Sequence, residues 1–250
     1  FTPITDKSGT ATITVTVEDA GLDGDFATAA DNAKFSRNFD VVVNPVNDVP
    51  TLAVIGDITI DEDAGEQTIN LSGISAGGGE SQPLRVTAIS RNTDLIPNPT
   101  VAYTSADPTG SISFTPISDK SGIATITVTV EDAGLDNDLA TTADNATITH
   151  SFNVTVTPVN DVPTVDAIGD ITIDEDADEQ TIDLTGISAG GGESQNLRVT
   201  AVSSNTDLIT NPSVTYTSAD PTGSISFTPI ADKSGTATIT MTVEDAGLDN

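Results

Sequence analysis

The chain has 250 residues and a formal net charge of −30, from 38 acidic and 8 basic side chains. A surplus of that sign argues against nucleic acid and anionic membrane as partners; it favours cations, or high salt that screens self-repulsion. There is no cysteine, hence no disulfide or thiol chemistry, and no apolar run approaches the roughly 20 residues of a membrane span.

From the first residues onward the chain repeats itself. Phe1-Thr2-Pro3-Ile4 returns as Phe114-Thr115-Pro116-Ile117 and as Phe227-Thr228-Pro229-Ile230, a period of 113 residues. Residues 48–137 and 161–250 align without a gap and differ at 15 of 90 positions. The period is too long for solenoid repeats of about 20–50 residues and suits a whole domain of about 100–150. The joint is Asn47-Asp48-Val49-Pro50, repeated as Asn160-Asp161-Val162-Pro163. Residues 1–47 therefore read as the C-terminal part of a first repeat, 48–160 as a complete repeat, and 161–250 as a third repeat lacking its last strand. The expectation is a window on a longer array.

Within the complete repeat, period-two alternation of β-branched residues predicts seven strands. In chain order they fall near 57–63, 67–74, 84–90, 99–104, 111–115, 122–131 and 146–157. Ala124, Ile126, Val128 and Val130 form one face of the sixth, with Thr125, Thr127 and Thr129 between them. Ile148, Phe152, Val154 and Val156 share a face of the seventh. Aromatics are only 4% of the chain, so Val, Ile and Leu must supply the core. Turn residues divide the strands: Gly65, Gly77-Gly78-Gly79, Asp107-Pro108-Thr109-Gly110 and Asp119-Lys120-Ser121-Gly122. No helical stripe occurs. The expected fold is all-β, with tandem seven-stranded Greek-key β-sandwiches.

Three motifs carry a family resemblance. Val159-Asn160-Asp161-Val162-Pro163 is similar to the cadherin linker pattern Asp-x-Asn-Asp-x-x-Pro. Asp107-Pro108-Thr109-Gly110-Ser111-Ile112 resembles the cadherin Asp-Pro-x-Thr-Gly-x-Ile hairpin. Val130-Glu131-Asp132-Ala133-Gly134 resembles the Ala-x-Asp-x-Gly segment. In this order the unit resembles the bacterial cadherin-like and immunoglobulin-like tandem repeats of large surface adhesins. The resemblance implies a linear rod of Ig-like domains at the bacterial cell surface or outside the cell, with calcium between domains. Two departures reduce the implied ligand set. Gly77-Gly78-Gly79-Glu80 stands where Asp-x-Asp is the family pattern, and Ile117-Ser118-Asp119-Lys120-Ser121 replaces Leu-Asp-Arg-Glu. One or two calcium ions per joint are implied rather than three.

Strand direction places the carboxylates. The last strand must end at the pole where the next repeat begins, and the turn after the first strand lies at that pole too. Asp61, Glu62, Asp63 and Asp119 therefore gather at the C-terminal pole of the middle repeat, with Asn160 and Asp161 leaving it. The loop between the last two strands of the following repeat faces the same joint and brings Glu244, Asp245 and Asp249. By the same reasoning the first joint carries Asp6, Asn47, Asp48, Glu131, Asp132, Asp136 and Asp138. So many carboxylates repel in a dry joint unless they protonate, spread or bind a cation. Calcium takes 6–8 oxygen ligands in flexible geometry; magnesium demands a tighter octahedron, and zinc or softer metals lack His and Cys partners here. The other reading of the same residues is solvated turns, since Asp favours turns for backbone reasons and acidic surfaces keep proteins soluble.

Catalysis finds no footing. His150 is the only histidine, and Arg37 holds its place one period earlier. No Cys–His or Ser–His pairing can be assembled, and the Gly77–Gly79 run lacks the Lys and Ser/Thr of a phosphate loop. The leading expectation is a structural extender whose partners are the neighbouring repeats. The alternatives are a self-assembling fibre or sheath subunit joined to sibling chains, and a ligand-binding adhesive domain.

Overall fold

The alternating stretches pair as strands, and their pairing decides which residues meet at the joints. The computed structural model describes residues 1–28 and 30–248. Among the described residues every regular element is a strand, and no helix is long and apolar enough to cross a membrane. The first segment contributes β1 (Gly9–Glu18) and β2 (Lys34–Val43). The middle repeat holds β3 (Ile58–Asp61), β4 (Gln67–Ser72), β5 (Leu84–Ser90), β6 (Thr100–Ala102), β7 (Thr109–Phe114), β8 (Gly122–Asp132) and β9 (Thr147–Thr157). The last segment holds β10 (Gln180–Leu184), β11 (Leu197–Ser203), β12 (Ser213–Thr215), β13 (Gly223–Phe227) and β14 (Ile239–Asp245).

In the middle repeat one sheet runs β3-β9-β8-β5 and the other β4-β7-β6. All pairs are antiparallel except β3 with β9, the first and last strands of the repeat, which run parallel from Ile58↔Val154 to Asp61↔Thr157. Alternation turns one set of side chains between the sheets. Ala124, Ile126, Val128 and Val130 of β8 are fully buried, and Val154, Val156 and Phe152 of β9 pack beside them against Leu71, Ile112 and Phe114 of the facing sheet. Each of the Val, Ile, Leu and Phe side chains among them contributes about 1.5–3 kcal/mol of burial. Outward parity gives the polar ladder Thr125–Asn153, Thr127–Ser151 and Thr129–Thr149, each pair joined by a side-chain hydrogen bond across β8 and β9. His150 lies opposite Val128, just as Arg37 lies opposite Val15 in β1–β2.

The last segment repeats this arrangement with β10-β13-β12, β11-β14 and a second apolar cluster around Leu184, Ile187 and Ile225. Among the described residues no strand there corresponds to β3. In β1–β2 the positions equivalent to the β8–β9 core are open: Val15, Val17 and Phe39 are exposed, because no facing sheet covers them.

Candidate metal centre

At the second joint four stretches of chain converge. The first is the turn after β3. Its Glu62 donates its backbone N–H to Thr157 O (3.0 Å) and accepts the Val159 N–H on Oε1 (2.8 Å). This carboxylate is 4% exposed; Asp63 follows it in the turn. The second stretch is the turn before β8, where Asp119 sits at φ +57°. The third is the linker, with Asp161. The fourth comes from the following repeat: Gly190, Gly191 and Gly192 all have positive φ, which bends the chain so that Glu193 Oε2 accepts the Asp161 N–H (3.1 Å).

These carboxylates form two overlapping triads. Glu62, Asp161 and Glu193 each offer an oxygen within 4.8 Å of the others, and so do Asp63, Asp119 and Asp161. Asp161 belongs to both. Ligand oxygens on opposite sides of a calcium ion are about 4.6–5.2 Å apart, so either triad can lie on one coordination sphere. Among the described residues none of the five is in an ion pair; the ion pairs there lie between Lys34 and Glu18, Arg85 and Glu131, and Arg198 and Glu244. Asp161 Oδ2 and Glu193 Oε1 are buried and have no hydrogen-bond partner. The Asp161 carboxyl is accordingly pushed above its ordinary range, first by desolvation and then by Asp119, Asp63, Glu193 and Glu62. Buried, unpaired, negatively charged oxygens are costly unless something neutralises them. The donor set is all oxygen and all hard, which fits calcium.

At the first joint the counterparts are Asp6, Asp48 and Glu80. They line a cleft of about 380 Å³ together with Pro45 and Gly78, and Asp48 N–H donates to Glu80 Oε2 (3.2 Å).

The remaining expected residues do not join these clusters. Glu131 and Glu244 point outward and meet Arg85 and Arg198 across the sheet. The guanidinium of Arg85 holds the Glu131 carboxyl below its ordinary range, with Asn145 assisting. Asp132 has the opposite parity and is fully buried; its Oδ1 accepts from Gly134 N–H (2.9 Å), Ala146 N–H (2.9 Å) and Asn47 Nδ2 (3.1 Å). Asp132 thus anchors the β8–β9 loop. Asp245 accepts from Gly247 N–H and Asn160 Nδ2 in the same way. Asp136 and Asp138 close exposed turns by accepting the Asp138 and Ala140 N–H groups (2.9 Å each). Asp249 lies outside the described residues. Glu80, Glu193, Gln82 and Gln195 were missed by the sequence reasoning. Their signal was the recurrence of Gly-Gly-Gly-Glu-Ser-Gln at the place where the family pattern has Asp-x-Asp.

The glycine loop gives a direct test of this packing. A Cβ on Gly79 would meet nothing, so Gly79→Ala, at φ +76°, brings only the left-handed strain of about 1–2 kcal/mol. A Cβ on Gly77 would stand 2.3 Å from Val49 O. Gly77→Ala is expected to cost clearly more than Gly79→Ala in urea unfolding; equal losses would mean that the loop does not clamp the linker.

No protein-family model matches the chain, and no curated protein does. Among solved structures, domains 4 and 5 of the S-layer protein SbsC show 14% identity at a TM-score of 0.30, covering 50% of this chain and 65% of that one. The human desmocollin-1 ectodomain shows 13% identity at 0.37, covering 86% and 38%. An endo-fucoidan hydrolase of glycoside hydrolase family 107 shows 16% identity at 0.32, covering 98% and 33%. The chain thus spans less than two thirds of each of these structures, and likeness at this level says nothing about activity.

Proposed function

We propose that the chain is part of a structural extender in a large extracellular or cell-surface protein, in which calcium at the joints fixes one repeat against the next. The observation that carries this reading is the shared Asp161. It sits in both carboxylate triads, with a buried oxygen that has no partner. Glu62, Asp63 and Asp119 of one repeat would hold the ion against Asp161 of the linker and Glu193 of the next. A repeat of this fold adds roughly 40 Å to a rod, from strands of about 10 residues at about 3.3 Å each plus loops.

Calorimetric titration of the 250-residue chain with calcium is expected to show saturable binding and a rise in Tm that chelator reverses. An unchanged melt together with an unchanged scattering envelope on chelation would sink the calcium reading and leave the fold untouched.

A pH series separates the two states of the joint. The Asp161 carboxyl is raised above its ordinary value of 3.8, so its folded state binds the proton more tightly than the unfolded chain. Its contribution is therefore fully present below that ordinary value and is lost as pH rises through the raised one. In chelator, acidification from neutral pH into the upper carboxylate range should hold or raise the Tm of the joint. With saturating calcium the same acidification should lower it, because protons compete with the ion. Identical pH profiles with and without calcium would count against the assignment.

A further inference from the structure

The linker between repeats is also held by neutral groups that involve no cation. At the first joint the Asn47 carboxamide is inserted into the following repeat. Its Nδ2 donates to Asp132 Oδ1 (3.1 Å) and to the backbone oxygen of Asp144 (3.0 Å), and its Oδ1 accepts from Gln82 Nε2 (2.6 Å). Asp132 is 0% and Gln82 6% exposed, so both ends of the carboxamide meet buried partners. The second joint repeats the pattern: Asn160 Nδ2 donates to the Asp245 carboxylate (3.3 Å to Oδ1), and Asn160 Oδ1 accepts from Gln195 Nε2 (2.7 Å).

The neighbouring linker residues are tied as well. Val159 N–H is held by Glu62 of the preceding repeat, and Asp161 N–H by Glu193 of the following one. Asn160 stands between them, so no untied residue separates the last hold on one repeat from the first hold on the next.

We propose that Asn47 and Asn160 act as latches, neutral carboxamides that fix the linker onto the following repeat with no ion present. Only a carboxamide serves here. It carries a donor for the buried carboxylate and an acceptor for the glutamine on one planar group. An aspartate would set a second negative charge against Asp132 and offer it no hydrogen. An alanine would leave Gln82 Nε2 without this acceptor and take from Asp132 one of its three donors. The joint then has two separate parts. The latch sets the entry of the linker, and the carboxylate cluster beside it responds to the cation. The latch does not depend on the calcium reading, because its contacts are direct hydrogen bonds between groups of the chain itself.

The test uses the whole chain in excess EDTA, with amide hydrogen exchange read by NMR. The wild-type chain should show protected amides at Asp48 and Ala146 and slowed side-chain NH₂ protons on Asn47. Asn47→Ala and Asn47→Asp should each speed exchange at Asp48 and Ala146 by roughly tenfold or more, as expected for a lost hydrogen bond to a buried charged group. Val128 and Val154, in the core strands, should stay protected and show that the repeat remains folded. Wild-type protein whose linker amides exchange at unfolded rates in EDTA would overturn the proposal. So would an Asn47→Ala chain with unchanged exchange at Asp48 and Ala146. Gln82→Met removes the other half of the latch and is expected to speed exchange at the same two amides; unchanged rates there would also overturn it. Calcium titration of the same samples reads the carboxylate cluster separately, so absence of calcium binding would leave these outcomes interpretable.

Discussion

Phe152→Ala is expected to destabilise the middle repeat by about 3–5 kcal/mol, the range for truncating a fully buried aromatic side chain. Phe152 is 2% exposed and belongs to the core cluster between the two sheets. The same position one period earlier is Phe39, which is 50% exposed. Phe39→Ala should therefore change stability by no more than about 0.5 kcal/mol, as for other open surface positions. The two substitutions share chemistry and repeat position, and only the ring of Phe152 lies within the two-sheet core. Calorimetry should show the main transition falling by about 10 °C or more for Phe152→Ala. A small shift there would mean that the β4-β7-β6 sheet does not close over β8 and β9.

The second large effect concerns Asp161. Asp161→Asn removes the one charge common to both triads and keeps its volume. Calcium affinity at the second joint should fall at least about tenfold, the lower edge of what even outer-shell changes cause at metal sites. In chelator the sign reverses. The wild-type carboxylate is penalised by desolvation and by four neighbouring carboxylates, and asparagine escapes that penalty. The variant should therefore melt higher than wild type in EDTA and respond less to calcium. A variant that binds calcium as tightly as wild type, or melts lower in EDTA, would remove Asp161 from the centre of the site.

Much of the architecture was legible because β-branched alternation is a strong local signal. All seven strands of the middle repeat overlap the stretches read from apolar–polar alternation, and the shortest, Thr100–Ala102, falls within a stretch read as 99–104. Strand direction also brought Glu62, Asp63, Asp119 and Asp161 to one joint, which needed only the rule that consecutive strands reverse. The contribution of Glu193 was not legible. It depends on three successive left-handed glycines turning the chain back onto the linker, a path with no periodicity to read. Glu131 was misplaced for a different reason. It was grouped with its neighbour Asp132, yet adjacent strand residues face opposite ways. Glu131 faces out and lies directly across from Arg85, while Asp132 faces in. That parity was available in the sequence. The partner Arg85 became visible only once the β5–β8 register was fixed.

The parallel pairing of β3 with β9 has a mechanical consequence. β3 is entered from the linker at one end of the repeat, and β9 leaves into the linker at the other. Tension along the chain therefore pulls these two neighbours in opposite directions along their common axis. Their inter-strand hydrogen bonds, spread over the pairs from Ile58↔Val154 to Asp61↔Thr157, are loaded together in shear instead of being peeled one at a time. The Thr157 hydroxyl, bonded to Ile60 O (3.1 Å) and Asp61 Oδ1 (2.8 Å), reinforces the end that β9 would slide from. A stretched repeat would have to break this patch as a unit before its core was exposed, so its resistance to extension is set by these four residue pairs rather than by the depth of its sandwich.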